Sequence, residues 1–228
     1  MTLQEAIGYS EILLALAFIQ QSFEHLTARR RERILFSIRI LLSVCLLAGF
    51  YADWALLGLF ILYLVQLSWF EGPYNGGSDR MGILILTALL IANFSPALLV
   101  RELAFGYLAL QLVLSYFISG WVKIRNPDWR SGLALNDVFR FSAYPVSDQI
   151  RQFAASPRLL FVMSWAVMLF ELLFPLCLLH PISLTLGLAI AALFHLANAC
   201  LFGLNRFFWI WLCAYPSIIW FQERFIQI

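Results

Sequence analysis

The sequence predicts an all-α fold: a polytopic integral membrane helix bundle with about eight transmembrane helices and short interfacial helices between spans five and six. Three observations carry this expectation. The first is composition: of 228 residues, 62% are hydrophobic and only 12% charged, with a mean hydropathy of +0.84. Soluble domains run at about 45–50% apolar and about 25% charged. The second is that the apolar residues come in runs near the roughly 20 residues that cross a bilayer. The third is that the breaks between runs are marked by charged, glycine-rich and proline-containing stretches. No stretch is polar enough for a separate soluble domain and no repeat divides the chain, so 1–228 is expected to form a single transmembrane domain. The lipid bilayer is its expected partner, and no nucleic-acid partner is expected.

The elements follow in order. A first span is expected over 8–26, ending before the basic run from Arg29 to Arg33. A second, 34–51, stops at Ala52-Asp53, and a third, 54–70, runs into Glu71-Gly72-Pro73-Tyr74-Asn75-Gly76-Gly77-Ser78-Asp79-Arg80. The fourth, 81–99, is distorted near its end by Ser95-Pro96, and the fifth covers 103–122. The connection 123–158 is the most polar part of the chain, yet Leu133, Leu135, Val138, Phe139 and Phe141 give it an apolar face. Two short interfacial helices, 133–141 and 147–154, fit that pattern, with Pro145 between them and Ser147 as a cap. The sixth span, 159–179, turns at His180-Pro181 into the seventh, 183–202, and the eighth covers 207–222.

Charge then orients the bundle. With eight spans, Arg29, Arg30, Arg31, Arg33, Arg80, Lys123, Arg125, Arg130, Arg140, Arg151, Arg158 and Arg206 fall on one side, and Arg101 and Arg224 remain near the other. Basic residues are retained in the cytoplasm, so the Lys123 face is expected to be cytoplasmic and both termini outside. Glu5, Glu11 and the lack of an early basic cluster argue against a cleaved signal peptide. Cys45, Cys177, Cys200 and Cys213 lie in apolar runs without metal-ligand spacing and read as packing residues. No metal is expected.

Lys123 is the only lysine; the other fourteen basic residues are arginine. Arginine keeps its charge, whereas a lysine in an apolar site can lose its proton and act as a base. Lys123 is therefore a candidate base, its alternative being an anchor that snorkels to the headgroups. Ionisable groups at membrane depth mark sites or pathways. Glu171 lies mid-span and must face inward, either protonated or paired, with an arginine or His195 as candidate partner. His195 and Asn198, three residues apart, share one helix face, as catalytic groups or as hydrogen-bonding glue between helices. Glu11 and Gln111 are further interior candidates. Glu24 and His25 are expected near the first boundary in contact with solvent, and His180 beside a turn.

Tyr116-Phe117-Ile118-Ser119-Gly120 followed by Lys123, Asp128-Trp129 and Gly132 resembles the catalytic-lysine segment of vitamin K-dependent γ-glutamyl carboxylase. Phe194-His195-Leu196-Ala197-Asn198, then Leu201-Phe202, Gly203 and Phe207, resembles that family's histidine helix. Together the segments indicate the HTTM (horizontally transferred transmembrane) superfamily, over roughly 34–222. The resemblance implies a membrane-embedded enzyme that uses a reduced quinone of the vitamin K hydroquinone type, in a bacterial inner (plasma) membrane. It implies Lys123 as the base that deprotonates the quinol, with His195 as a second catalytic group. Asn198, Trp121, Trp129 and Glu171 would hold the quinone, and Asp79, Arg125 and Arg130 a substrate. An apolar wall of Phe117, Trp121 and Trp129, with Arg125 and Arg130 nearby, is expected to favour the neutral amine. Gly77 falls where the carboxylase carries a histidine implicated in catalysis. A peptide substrate would be recognised by 123–158 or by a partner subunit. The alternatives are a non-catalytic maturation or assembly factor for an exported or ribosomally made peptide, and a transporter using Glu171 and His195.

Overall fold

The computed structural model describes residues 1–69, 76–141 and 148–226, and what it describes is helical. Eleven α-helices follow one another: α1 (Leu3–Phe23), α2 (Arg30–Leu47), α3 (Ala52–Trp69), α4 (Gly76–Phe94), α5 (Leu98–Arg125), α6 (Pro127–Ser131), α7 (Leu133–Phe141), α8 (Asp148–Arg151), α9 (Pro157–Leu173), α10 (Pro181–Phe202) and α11 (Asn205–Phe225). Two 3₁₀ turns, Gln152–Ala155 and Phe174–Leu179, follow α8 and α9. Each expected span is helical over most of its described residues, the exceptions being 24–26, 48–51 and 95–97. Five helical segments are long and apolar enough to cross a membrane: α1, α4, α5, α9 with its 3₁₀ extension, and α10. α3 is apolar but shorter, while α2 opens on Arg30-Arg31-Glu32-Arg33 and α11 closes on Glu223-Arg224.

The helices start a few residues before the expected spans because hydrophobicity marks where apolar surface begins, not where a helix is capped. α1 starts at Leu3 because Thr2 and Glu5 form a reciprocal capping box, each side chain meeting the other's backbone N–H. Pro96 ends α4 early, at Phe94. The interfacial helix expected over 133–141 is α7. The second is a four-residue helix, α8, continued by a 3₁₀ turn; Pro145 and Ser147 lie outside the described residues.

The chain divides into two compact units that share α5: Met1–Leu110 with Arg206–Ile228, and Gln111–Asn205. In the first unit α1 packs on α2, α2 on α3 and α3 on α4, and the fully buried Phe18, Leu56, Leu59 and Ile85 belong to its core. In the second, α6 and α7 pack on α9. Leu135, Phe139, Ala154, Leu160 and Phe202 make a small core that seats the polar connection on the helices flanking it. Asn136 Nδ2 ties α7 down by donating to the Ala154 carbonyl (2.7 Å).

Periodicity decides which way the functional helices face. On α10, Leu184, Leu188, Ala191 and His195 are buried, while Leu186, Ile190 and Leu193 are more than half exposed. On α9, Leu160, Ser164, Met168 and Glu171 are buried, and Val162, Leu169 and Leu173 are exposed. These stripes follow the helical repeat. Each helix therefore turns its polar residues inward and an aliphatic stripe outward, an arrangement suited to hydrocarbon.

Candidate functional site

The second unit gathers its polar side chains along one face of α5. Tyr116, Ser119, Gly120 and Lys123 recur at the spacing that puts residues on one side of a helix. Gly120 sets the approach of the neighbouring helix: a Cβ there would stand 2.5 Å from the backbone nitrogen of Leu172 and 3.0 Å from Cβ of Glu171. Only glycine lets α5 and α9 come this close, and the closeness delivers Glu171 to Lys123.

Lys123 Nζ donates to both carboxylate oxygens of Glu171, at 2.5 Å and 2.6 Å, and to Ser119 Oγ at 2.9 Å. Ser119 Oγ in turn donates to Glu171 Oε1 at 3.1 Å. The three donors of the ammonium are thus all engaged, and the side chains are 17% and 3% exposed. The partner of Glu171 is therefore a lysine and a serine, not the expected arginine or His195. Glu171 sits in the last turn of α9, just before Pro175 and the change to 3₁₀ geometry. The same contact changes the expected environment of the amine, which meets a carboxylate at 2.5 Å and not a purely apolar wall.

The aromatic wall is also thinner than expected. Phe117 and Trp121 are exposed and stack on each other, with centroids 6.4 Å apart, and the Arg125 guanidinium covers Trp121 at 5.8 Å. Trp129 alone of the three faces the amine, its ring centroid 5.1 Å from Nζ. Two bonds to backbone carbonyls hold α6 in that position: Ser164 Oγ donates to the Trp129 carbonyl (2.5 Å) and Trp165 Nε1 to the Arg130 carbonyl (3.0 Å). Arg125 and Arg130 are exposed. The Arg130 side chain bonds weakly to the Ile124 carbonyl at 3.4 Å.

His195 is buried on α10, its Nε2 2.8 Å from the Tyr116 hydroxyl. The Tyr116 ring lies against Phe174, with centroids 4.2 Å apart, and meets Phe170 edge-on at 6.1 Å. Asn198 is half-buried further along α10. The imidazole and the amine therefore belong to two separate pairs. They are about two turns apart along α5, roughly 10 Å by helical rise, with Ser119 and Gly120 between them. Tyr116, Ser119 and Gly120 were not assigned roles from sequence; their common face with Lys123 was the signal that could have found them.

Asp79 belongs to the first unit, where its carboxylate lies 3.4 Å from the Tyr63 hydroxyl. Gly77 packs under Phe207: a Cβ there would press on the ring at 3.0 Å. Glu11 is half-buried and accepts from Asn93 Nδ2 at 2.5 Å. His25, expected in solvent, stacks on Phe36 with centroids 4.2 Å apart and meets Arg206 Nη2 at 2.9 Å. Burial, and then the Arg206 charge, push the His25 imidazole below its usual range. His180 caps α10, its Nδ1 accepting from the Ile182 N–H.

Long apolar helices with an ion pair and a tyrosine–histidine pair turned inward define a polytopic membrane protein with polar pairs held between its helices. The HTTM domain matches residues 99–223, more than half of the chain, and the chain belongs to that family. No curated protein and no solved structure matches it.

Proposed function

We propose that this protein is a quinol-dependent membrane enzyme of the carboxylase-like type, with Lys123 and Glu171 acting together on a proton. The observation that carries this reading is the sequestered Lys123–Glu171 pair, closed by Ser119 and capped by Trp129. Structural anchors seldom bury a carboxylate to 3% exposure at the end of an otherwise apolar helix. The lining fits a vitamin K-type hydroquinone: the Glu171 carboxylate would accept from a ring hydroxyl, and Trp129 presents an aromatic face beside the pair. When bound, such a quinol supplies electrons for dioxygen and an acidic hydroxyl.

The chain's own part is to move and hold the proton. Glu171 Oε2 takes it up, which frees one N–H of the Lys123 ammonium from the carboxylate. That N–H then faces whatever negative charge develops beside it, in surroundings where water competes poorly. Ser119 keeps Nζ and Oε1 in register during the exchange. The reading extends to quinol oxidation or epoxidation. Carboxylation of peptide glutamate is a further possibility that Gly77 weighs against, since a histidine there would displace Phe207.

Eight membrane crossings, with α2, α3 and α11 added to the five long apolar segments, complete this reading. The basic loops then place the Lys123 face in the cytoplasm and both termini outside, in a bacterial inner membrane. A peptide-maturation role without catalysis is the second reading. It is favoured by Phe141, which α7 leaves 76% exposed while burying Phe139.

The test is oxygen-dependent turnover of a reduced naphthoquinone by purified protein, with epoxide measured alongside quinone. The wild type should turn over, and the double variant Lys123→Met/Glu171→Leu, which removes both charges together, should not. Equal turnover in both would exclude the pair from the chemistry.

A further inference from the structure

The first unit buries a cation whose hydrogen-bond partners among the described residues are all neutral. Arg39, in the third turn of α2, is 2% exposed. Its Nη1 donates to Gln66 Oε1 and its Nη2 to Gln21 Oε1, each at 2.9 Å. The guanidinium carbon lies 3.9 Å above the Phe18 ring, with Phe36 and Tyr63 each at 5.8 Å. Two buried donors have no acceptor among the described residues: Arg39 Nε and Gln21 Nε2. They flank a single contact, because Nε is joined to Nη2 through one carbon and Nε2 to Oε1 through another. The open donors thus sit at either end of the 2.9 Å bond from Arg39 to Gln21.

No carboxylate bonds this guanidinium among the described residues. Arg206 adds a second positive charge within electrostatic range of Arg39, and Asp79 one negative charge. Asp79 lies against the Tyr63 hydroxyl, so it does not bond the guanidinium. A buried cation bonded only to neutral groups in an aromatic enclosure is costly.

We infer that Arg39, Gln21 and Gln66 form a binding site for a small planar carboxylate or related oxyanion. One oxygen takes the Arg39 Nε–H and the other the Gln21 amide N–H, while the Gln21 and Gln66 carbonyls hold the guanidinium in place. The anion places a negative charge directly on the guanidinium and supplies both missing acceptors. This site is independent of the Lys123–Glu171 pair and stands or falls apart from the quinol chemistry.

The experiment is thermal unfolding of the purified protein in detergent at constant pH and ionic strength, with sodium formate replacing sodium gluconate stepwise. Gluconate is too bulky for so enclosed a position. The wild type should show a saturable rise in Tm on the order of 5 °C, and Arg39→Gln should show none. Gln21→Glu places a carboxylate on the guanidinium permanently, so it should begin at a higher Tm and no longer respond to formate. A wild type without a saturable rise, as expected if water fills the site, would overturn the inference. So would an undiminished rise in Arg39→Gln. Should Arg39→Gln not fold, Gln21→Glu decides alone, and a formate response equal to wild type there would also overturn it.

Discussion

Arg39 and Lys123 are both basic, both sit on apolar helices, and both are pulled inward by a neighbouring helix, yet the two units neutralise them differently. Lys123 receives a full carboxylate on two of its donors and a serine on the third. Arg39 receives two amide oxygens and an aromatic face. The residue types suit these roles. A lysine is a compact charge that exchanges a proton with a bonded acid, whereas an arginine stays charged and offers a rigid fork of donors. On the proposed reading the second unit moves a proton, whereas the first holds a permanent positive charge. A buried ion pair has no net charge and asks for nothing further; a buried cation among amides does.

The sharpest way to break this contrast is to leave one member of the pair alone. Glu171→Ala or Lys123→Ala should each destabilise the protein by roughly 3–5 kcal/mol, because each strands a charge inside the unit. The double variant Lys123→Met/Glu171→Leu should recover most of that loss, so a chemical-denaturation cycle should return a large coupling. Next in size, Gly120→Ala places a methyl group 2.5 Å from the Leu172 nitrogen. Separation of α5 and α9 should then cost about 1–3 kcal/mol and reduce the coupling measured in the same cycle. Smaller still, Tyr116→Phe removes one buried hydrogen bond to His195 and should cost about 1 kcal/mol in the same unfolding measurement.

The smallest effect concerns the first unit and pH. The His25 imidazole titrates below its usual range in the folded chain, whereas in the unfolded chain it takes a proton near pH 6.5. Between those two points the unfolded state binds more protons, so stability falls as pH drops below about 6.5 and is fully present above it. A Tm series from pH 7.5 to 5 should show this decline, and His25→Phe should show less of it.

Helix type and approximate position were legible because hydrophobic length is a strong signal. The ends were less so, since a capping box such as Thr2 with Glu5 extends a helix into residues that look polar. Within the site, Lys123, Glu171 and His195 stood out as ionisable groups in apolar runs, and the structure turns all three inward. Their partners were harder to read. Which carboxylate meets Lys123 depends on the backbone approach at Gly120, a tertiary contact without a local signature. Exposure misled for Phe117 and Trp121, because an aromatic near a lysine in sequence can lie on the far side of the helix. Arg39 lies inside an otherwise apolar run, yet nothing in that run points to its partners on two other helices. Only the coordinates of Gln21 and Gln66 reveal how completely it is enclosed.

The short helix α6 is fastened to α9 through the main-chain oxygens of Trp129 and Arg130, not through their side chains. The indole over the amine can therefore be exchanged without loosening the strap that carries it. A bulkier or slimmer side chain at that one position would leave the Lys123–Glu171 pair and its geometry untouched.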